Sequence, residues 1–185
     1  MNRTSRTTML ALVIVVATAA VLIAMGRPPI CTCGTVALWE PSAASARTSQ
    51  MLADWYSPSH IVHGFLFYAA LWFAARSWPI ERRFLVALLV EAAWEVAENT
   101  PMVIDRYREA TIALGYTGDS VLNSLSDIAM MALGFLAART LPLWIAAAAV
   151  AMLEIVPLLV IRDNLTLNVW MLVAPSEAIR DWQGG

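Results

Sequence analysis

Lysine is absent from the 185 residues, so the cationic inventory is twelve arginines. No basic run or patch among them points to nucleic acid. Charge of either sign is scarce. Asp, Glu, Lys and Arg make up 14% of the chain, against roughly a quarter in an ordinary soluble domain. Cysteine is limited to Cys31 and Cys33, in Cys-Thr-Cys-Gly. Two thiols are too few for a zinc site, and their spacing is too close for an ordinary disulfide loop. Two plain thiols, a redox pair and a strained disulfide formed in an oxidising compartment all remain open. Nucleophile elbow, phosphate loop and full metal motif are missing, as are internal repeats and low-complexity tracts. These absences tilt the reading away from an enzyme and name no cofactor.

What the chain has instead is apolar surface. Hydrophobic residues are 59% of it and its mean hydropathy is +0.65. Such a chain cannot cover a folded surface with polar groups, so its solvent is lipid. The length allows one membrane domain, 1–185. Five spans are expected, at about 9–25, 60–78, 84–99, 119–138 and 143–161. The first follows Arg3 and Arg6 like a signal peptide, but its small-residue stretch Ala17-Thr-Ala-Ala20 lies inside the apolar run, so it reads as an uncleaved anchor. Residues 165–174 are apolar but only half a bilayer long, at ~1.5 Å per residue, and read as an interfacial or re-entrant piece. Residues 102–118 read as a loop after Pro101, and 176–183 as a polar tail. The expected fold is an all-α bundle of about five transmembrane helices, packed through small residues such as Gly64, Ala92, Ala93 and Gly134.

Arginine placement suggests orientation. A cytoplasmic N-terminus puts Arg3, Arg6, Arg76, Arg82, Arg83 and Arg139 inside on short segments. Arg27, Arg47, Arg106, Arg108, Arg162 and Arg180 then lie outside on longer ones. Density favours N-in, in a multi-pass protein of the cell inner membrane.

The spans carry polar groups that lipid would penalise, at ~2.5–3.5 kcal/mol per central carboxylate. Glu91, Glu95 and Glu98 are spaced i, i+4, i+7, a stripe about 60° wide on a helix turning ~100° per residue. Asp119, Asn123, Ser126 and Asp127 share one side of the fourth span, where Asp119 also suits an N-cap. His60 and His63 stand i, i+3 near the start of the second, a spacing that permits metal binding. In the N-in topology these sets, with Glu154, converge at the outer end as an outward-opening polar cavity. Arg106 and Arg108 are placed to neutralise its carboxylates. The expected ligand-binding residues are His60, His63, Glu91, Glu95, Glu98, Arg106, Asp119, Asn123 and Asp127, with Glu91 as the floor. The alternative is a hydrogen-bond network that only fixes helix packing.

Long segments carry a family resemblance. They are Cys31–Gly34, Asp54–Tyr68 (DWYSPSHIVHGFLFY), Glu91–Pro101 (EAAWEVAENTP), Asp105–Arg108, Gly118–Asp127 (GDSVLNSLSD) and Arg162–Asn168. On these the chain resembles uncharacterised protein family 0314, small multi-pass bacterial inner-membrane proteins. The resemblance implies location and topology but no mechanism. His63, Tyr68, Glu91/Glu95, Arg106, Asp119 with Asn123, and Gly134 also resemble the pattern of VanZ-like membrane proteins, linked to the cell envelope. Asp105-Arg106 with Asp127 echoes the lipoprotein signal peptidase, although the asparagines are not at that enzyme's spacings. Two functions follow. One is a binder or transporter of a lipid-like molecule or ion, with membrane lipids as its other partners. The other is a membrane-embedded hydrolase or transferase on a lipid-linked substrate, with Glu95 or Asp127 as general base and His63 as its partner. A metal held by His60, His63, Glu95 and Glu98 is a further option.

Overall fold

The computed structural model describes residues 3–111 and 115–185. Residues 112–114 of the 102–118 segment and the side chain of Arg3 lie outside the described residues. Among the described residues the chain is all helical: α1 (Arg3–Ala24), α2 (Ser57–Ala74), α3 (Ile80–Glu98), α4 (Pro101–Ala110), α5 (Val121–Thr140), α6 (Leu143–Ile161), α7 (Leu165–Val173) and α8 (Glu177–Gly184).

Three helices are long and apolar enough to cross a membrane, within Thr4–Ala24, Val121–Thr140 and Leu143–Ile161. The sequence leads one to expect five. The difference is chemical: α2 begins with His60 and His63, and α3 carries Glu81, Arg82, Arg83, Glu91, Glu95 and Glu98. Apolar α1 and α6 turn most of their surface outward. In α6 only Pro157 is buried, while Leu143 and Leu159 are 86% and 76% exposed. A hydrophobic surface this continuous needs lipid or protein against it.

The core sits between α2, α3 and α5, where Ala87, Leu88, Ala92, Ile128, Met131 and Phe135 pack together against partly buried residues of α1. Helices α2 and α5 cross in near backbone contact. A Cβ added at Gly64 would collide with the Met131 carbonyl and the Phe135 amide, and one at Gly134 with the Ile61 carbonyl. The expected small-residue packing therefore holds at Gly64, Gly134 and buried Ala92, whereas Ala93 is exposed.

One end of the bundle collects the end of α1, the start of α2, the end of α3, the start of α5 and the end of α6. Arg27 donates from Nε to the Asp119 carbonyl at 3.1 Å. Val121 and Leu122 donate their amides to the carbonyls of Pro28 and Pro29, and Tyr56 reaches Asp163 at 3.5 Å. Helices α1, α3 and α6 thus run one way, and α2 and α5 the other.

Two segments read as irregular are helices. Pro101 ends the third span, as expected, but it also occupies the first turn of α4, where its missing N–H has no intrahelical partner to lose. The tail read as polar and unstructured is α8. It is tied back to the end of α6 by Arg162 Nη1 donating to the Trp182 carbonyl and Gln183 Nε2 donating to the Arg162 carbonyl. Between them the apolar 165–174 segment forms α7. Its free N-terminal amides at Leu165 and Thr166 are taken by the Glu154 carboxylate, and that of Leu167 by Asn164. Glu154 thereby serves as a cap from a neighbouring helix. Cys31 and Cys33 form a disulfide.

Candidate functional site

Both histidines of the chain meet on one carboxylate. His60 Nδ1 lies 2.6 Å from Glu91 Oε1, and His63 Nδ1 lies 3.1 Å from Glu91 Oε2. Residue spacing explains the meeting. The i, i+3 pair on α2 occupies one face of the helix, and the antiparallel α3 presents Glu91 level with it. Glu91 and His60 are buried. His60 also stands 3.4 Å from Glu95 Oε1, and its Nε2 is 3.9 Å from Asp127 Oδ2 on α5. His60 is therefore the hub that joins α2, α3 and α5. The partnership expected between His63 and Glu95 or Asp127 is made by His60 instead.

A second group lies beside the first. Asp119 accepts from Asn99 Nδ2 at 2.7 Å and from the Tyr116 hydroxyl at 2.9 Å, and its amide donates to Asn99 Oδ1. Asp119 does not cap α5. Ser120 does, accepting from the Asn123 amide. The Asn123 side chain donates to the Met51 carbonyl, so it fixes the 26–56 loop over the bundle end. Gln50 bridges the Ser49 and Gly118 carbonyls in the same way.

These residues surround a cavity of about 590 Å³. His60, His63, Glu98, Asp119 and Asp127 form its polar side. Phe67, Val90, Trp94, Leu165 and Val169 form an apolar wall, and the loop residues Ala43–Thr48 lie across it. Among the described residues no arginine lines it. Arg106 is a correction. The segment expected to be a flexible loop is helix α4, which turns Arg106 towards α7, where its Nε donates to the Leu172 carbonyl at 2.9 Å. Arg108 donates to the Tyr116 carbonyl. Asp105, the residue of the signal-peptidase echo, is 63% exposed and faces Arg108 at 3.6 Å, so it does not share a site with Asp127.

Sequence reasoning missed Tyr107, Asp54, Tyr56 and Asp163. Tyr107 on α4 donates to Asn168 Oδ1 at 2.8 Å and lines the cavity. Asp54 accepts the amides of Ser49 and Tyr56 at 2.6 and 2.8 Å, which holds Ser49 at its left-handed φ of 61°. Burial raises the Asp54 carboxyl above the usual range, against these amide bonds. Burial likewise pushes Asp163 up to about 6. Asp54 and Asp163 both lie inside the segments that carry the family resemblance, and that was the one available signal.

The carboxylates of Glu95 and Asp127 set the site apart. Both residues are buried, and neither oxygen of Glu95, nor Oδ1 of Asp127, accepts a hydrogen bond among the described residues. Buried charge of this kind costs several kcal/mol unless paired or neutralised.

The comparisons agree with the sequence. No solved structure matches the chain. A family model described as "Protein of unknown function (DUF2585)" matches residues 22–185. Among curated relatives, a UPF0314 protein of Sphingopyxis alaskensis is 55% identical, covering 90% of this chain and 89% of its own. One from Agrobacterium fabrum is 56% identical, covering 88% and 82%. One from Paracoccus denitrificans is 51% identical, covering 92% and 88%. Together with the shared motif segments, these matches make the chain a member of the UPF0314 (DUF2585) family.

Proposed function

We propose that this is a five-span protein of the bacterial inner membrane, with a cytoplasmic N-terminus, whose cavity opens on the outer side and binds an amphiphile. The carrying observation is the cavity's mixed lining, which joins aromatic and aliphatic side chains with histidines and carboxylates. That is the surface an acyl or prenyl chain with a polar head would need. Among the described residues the lining has no arginine or lysine to receive a bare phosphate. It suits a head that carries positive charge or that reaches the carboxylates through a bound cation.

The extra two spans rest on packing. Helices α2 and α3 bury His60, Glu91 and Glu95 against each other and α5, while Leu66, Phe73 and Leu89 face outward. A helix can cross a bilayer with ionisable groups when those groups face the bundle. The orientation rests on the opposite end, where Arg76 stacks over Trp72 at 3.9 Å and Arg82 over Trp78 at 3.8 Å. Arginine and tryptophan together suit a cytoplasmic interface. The disulfide in the loop at the cavity end suits an oxidising compartment.

Native mass spectrometry of the protein in gentle detergent tests the reading. One amphiphile adduct per chain is expected. It should be lost in Val90→Trp, which fills the apolar wall, and retained in Leu159→Trp on the outward face of α6. No adduct, or equal adducts in both variants, refutes it.

A further inference from the structure

We propose that the centre between α2, α3 and α5 is a binding site for one divalent transition-metal ion, held by His60, Glu95, Glu98 and Asp127 and braced by Glu91.

The geometry supplies the ligands. One ligand atom from each of His60, Glu95 and Glu98 lies within 4.8 Å of the others, and Asp127 Oδ2 lies 3.9 Å from His60 Nε2. Two ligands each about 2.0–2.2 Å from one ion stand no more than about 4.4 Å apart. The Asp127–His60 spacing is already inside that limit, and the spacings among His60, Glu95 and Glu98 exceed it by no more than a few tenths of an ångström. The hydrogen bonding supplies the orientation. With Glu91 Oε1 at 2.6 Å, the Nδ1 of His60 is the natural donor and its Nε2 keeps the lone pair. That is the carboxylate–histidine arrangement that aims imidazoles at metals. Nε2 is the atom that faces Asp127, whereas Glu95 Oε1 stands 3.4 Å from Nδ1, so the Glu95 carboxylate has to turn along the ring edge to share an ion with Nε2.

The independent observation is the unpartnered carboxylate. Glu95 is fully buried, and neither of its oxygens is satisfied, nor is Oδ1 of Asp127. Glu91 is matched by two imidazoles and Asp119 by Asn99 and Tyr116. Glu95 and Asp127 are left facing one histidine, Glu98 has Tyr107 beside it, and among the described residues no arginine lines the cavity. A divalent ion removes that surplus. One imidazole with three carboxylates favours Zn²⁺, Mn²⁺ or Fe²⁺ over the all-oxygen ligation that suits Ca²⁺ and Mg²⁺.

The site shares the cavity proposed for an amphiphile, and that reading offers it a cation to reach through. The metal assay contains no amphiphile except detergent, so either proposal can fail alone. Protein stripped with chelator is titrated with Zn²⁺ and Mn²⁺, and bound metal is counted by elemental mass spectrometry. One ion per chain is expected in the wild type and in Asp105→Asn, an exposed control. Glu91→Gln should weaken affinity about 10–100-fold without changing the stoichiometry, as loss of an outer-shell partner does. Glu95→Gln and Asp127→Asn should weaken it further. X-ray absorption of the Zn²⁺-loaded wild type, which needs no variant to fold, should show a shell of nitrogen and oxygen at about 2.0–2.2 Å. No metal bound by the wild type, a sulfur-containing shell, or undiminished binding in folded Glu95→Gln and Asp127→Asn overturns the proposal. Carboxylates that are simply protonated would give the first of these results.

Discussion

Glu91 is the residue on which the site turns, because two imidazoles take their orientation from it. Glu91→Ala takes this acceptor from the buried His60 nitrogen, at roughly 1–3 kcal/mol, and from the half-buried His63 nitrogen at less. Thermal unfolding in detergent should show it less stable than Glu91→Gln, which keeps an acceptor oxygen; equal melting of the two would contradict the pairing. Asp163 offers a pH test outside the spans. Burial lifts its carboxyl from the ordinary 3.8 to about 6, so between these values the folded chain binds the proton more tightly than the unfolded one. Its contribution therefore favours folding at low pH and declines as pH rises towards 6. Asp163→Asn should raise the melting temperature at pH 8 relative to wild type and shrink the difference between pH 5 and pH 8. A difference of unchanged size would show that Asp163 does not titrate there. At this scale the sequence showed which residues share a face but not which of them touch. Spacing put His60 beside His63 and aligned Glu91, Glu95 and Glu98. That Glu91, expected as a floor, is the shared acceptor depended on the vertical register of α3 against α2. Arg106 was assigned to the carboxylates by nearness in a supposed loop, and helix α4 fixes its direction otherwise.

Among the elements, the α2–α5 crossing is the closest approach, and it is set by two glycines. Backbone atoms of the opposing helix occupy the space a Cβ would need at Gly64 and Gly134, so relief requires the helices to part. Gly64→Ala or Gly134→Ala should each cost at least the ~1–3 kcal/mol of an overpacked core, offset only in part by the better helix propensity of alanine. Each should also loosen the His60–Asp127 approach, since His60 and Asp127 flank the crossing. Lower melting temperature for both, with a smaller effect for Ala93→Gly at an exposed position, is the expected order. Element reading from sequence worked where apolar length decided it: α6 has the bounds 143–161 that hydropathy implied. It fell short where polarity was read as irregularity. Met102–Ala110 and Glu177–Gly184 are amphipathic and short, with one face turned to the bundle end. Neither a long apolar run nor an alternation marks such helices. His60, His63 and the α3 carboxylates also lower the hydropathy of α2 and α3, the two expected spans that length and composition alone do not mark as able to cross a membrane.

For the whole molecule the decisive quantity is the number of crossings. The hydrogen bonds at the cavity end tie the end of α1 to the start of α5 through Arg27, the end of α3 to the start of α5 through Asn99, and the start of α2 to the end of α6 through Tyr56 and Asp163. Helices fixed in these directions within one bundle cannot be inserted independently: if α1, α5 and α6 cross, α2 and α3 at their side lie at the same depth. The chain then passes five times, and its two termini fall on opposite sides. Arg6, Arg76, Arg82, Arg83 and Arg139 lie at the end remote from the cavity, on short segments, and the proposed cytoplasmic placement of that end rests on this positive-inside pattern. A reporter that is active only in the cytoplasm should be silent when fused after Gln183 and active when fused in the 75–79 turn. The loop that holds Cys31 and Cys33 should be on the same side as the C-terminal fusion. After mild reduction, an impermeant thiol reagent should then label the chain in cells whose outer layer has been permeabilised, with no label in Cys31→Ser/Cys33→Ser. An active C-terminal reporter, or labelling only after the inner membrane is broken, would turn the cavity to the cytoplasm. A silent reporter in the 75–79 turn, with the loop still labelled from outside, would instead leave α2 and α3 short of a full crossing.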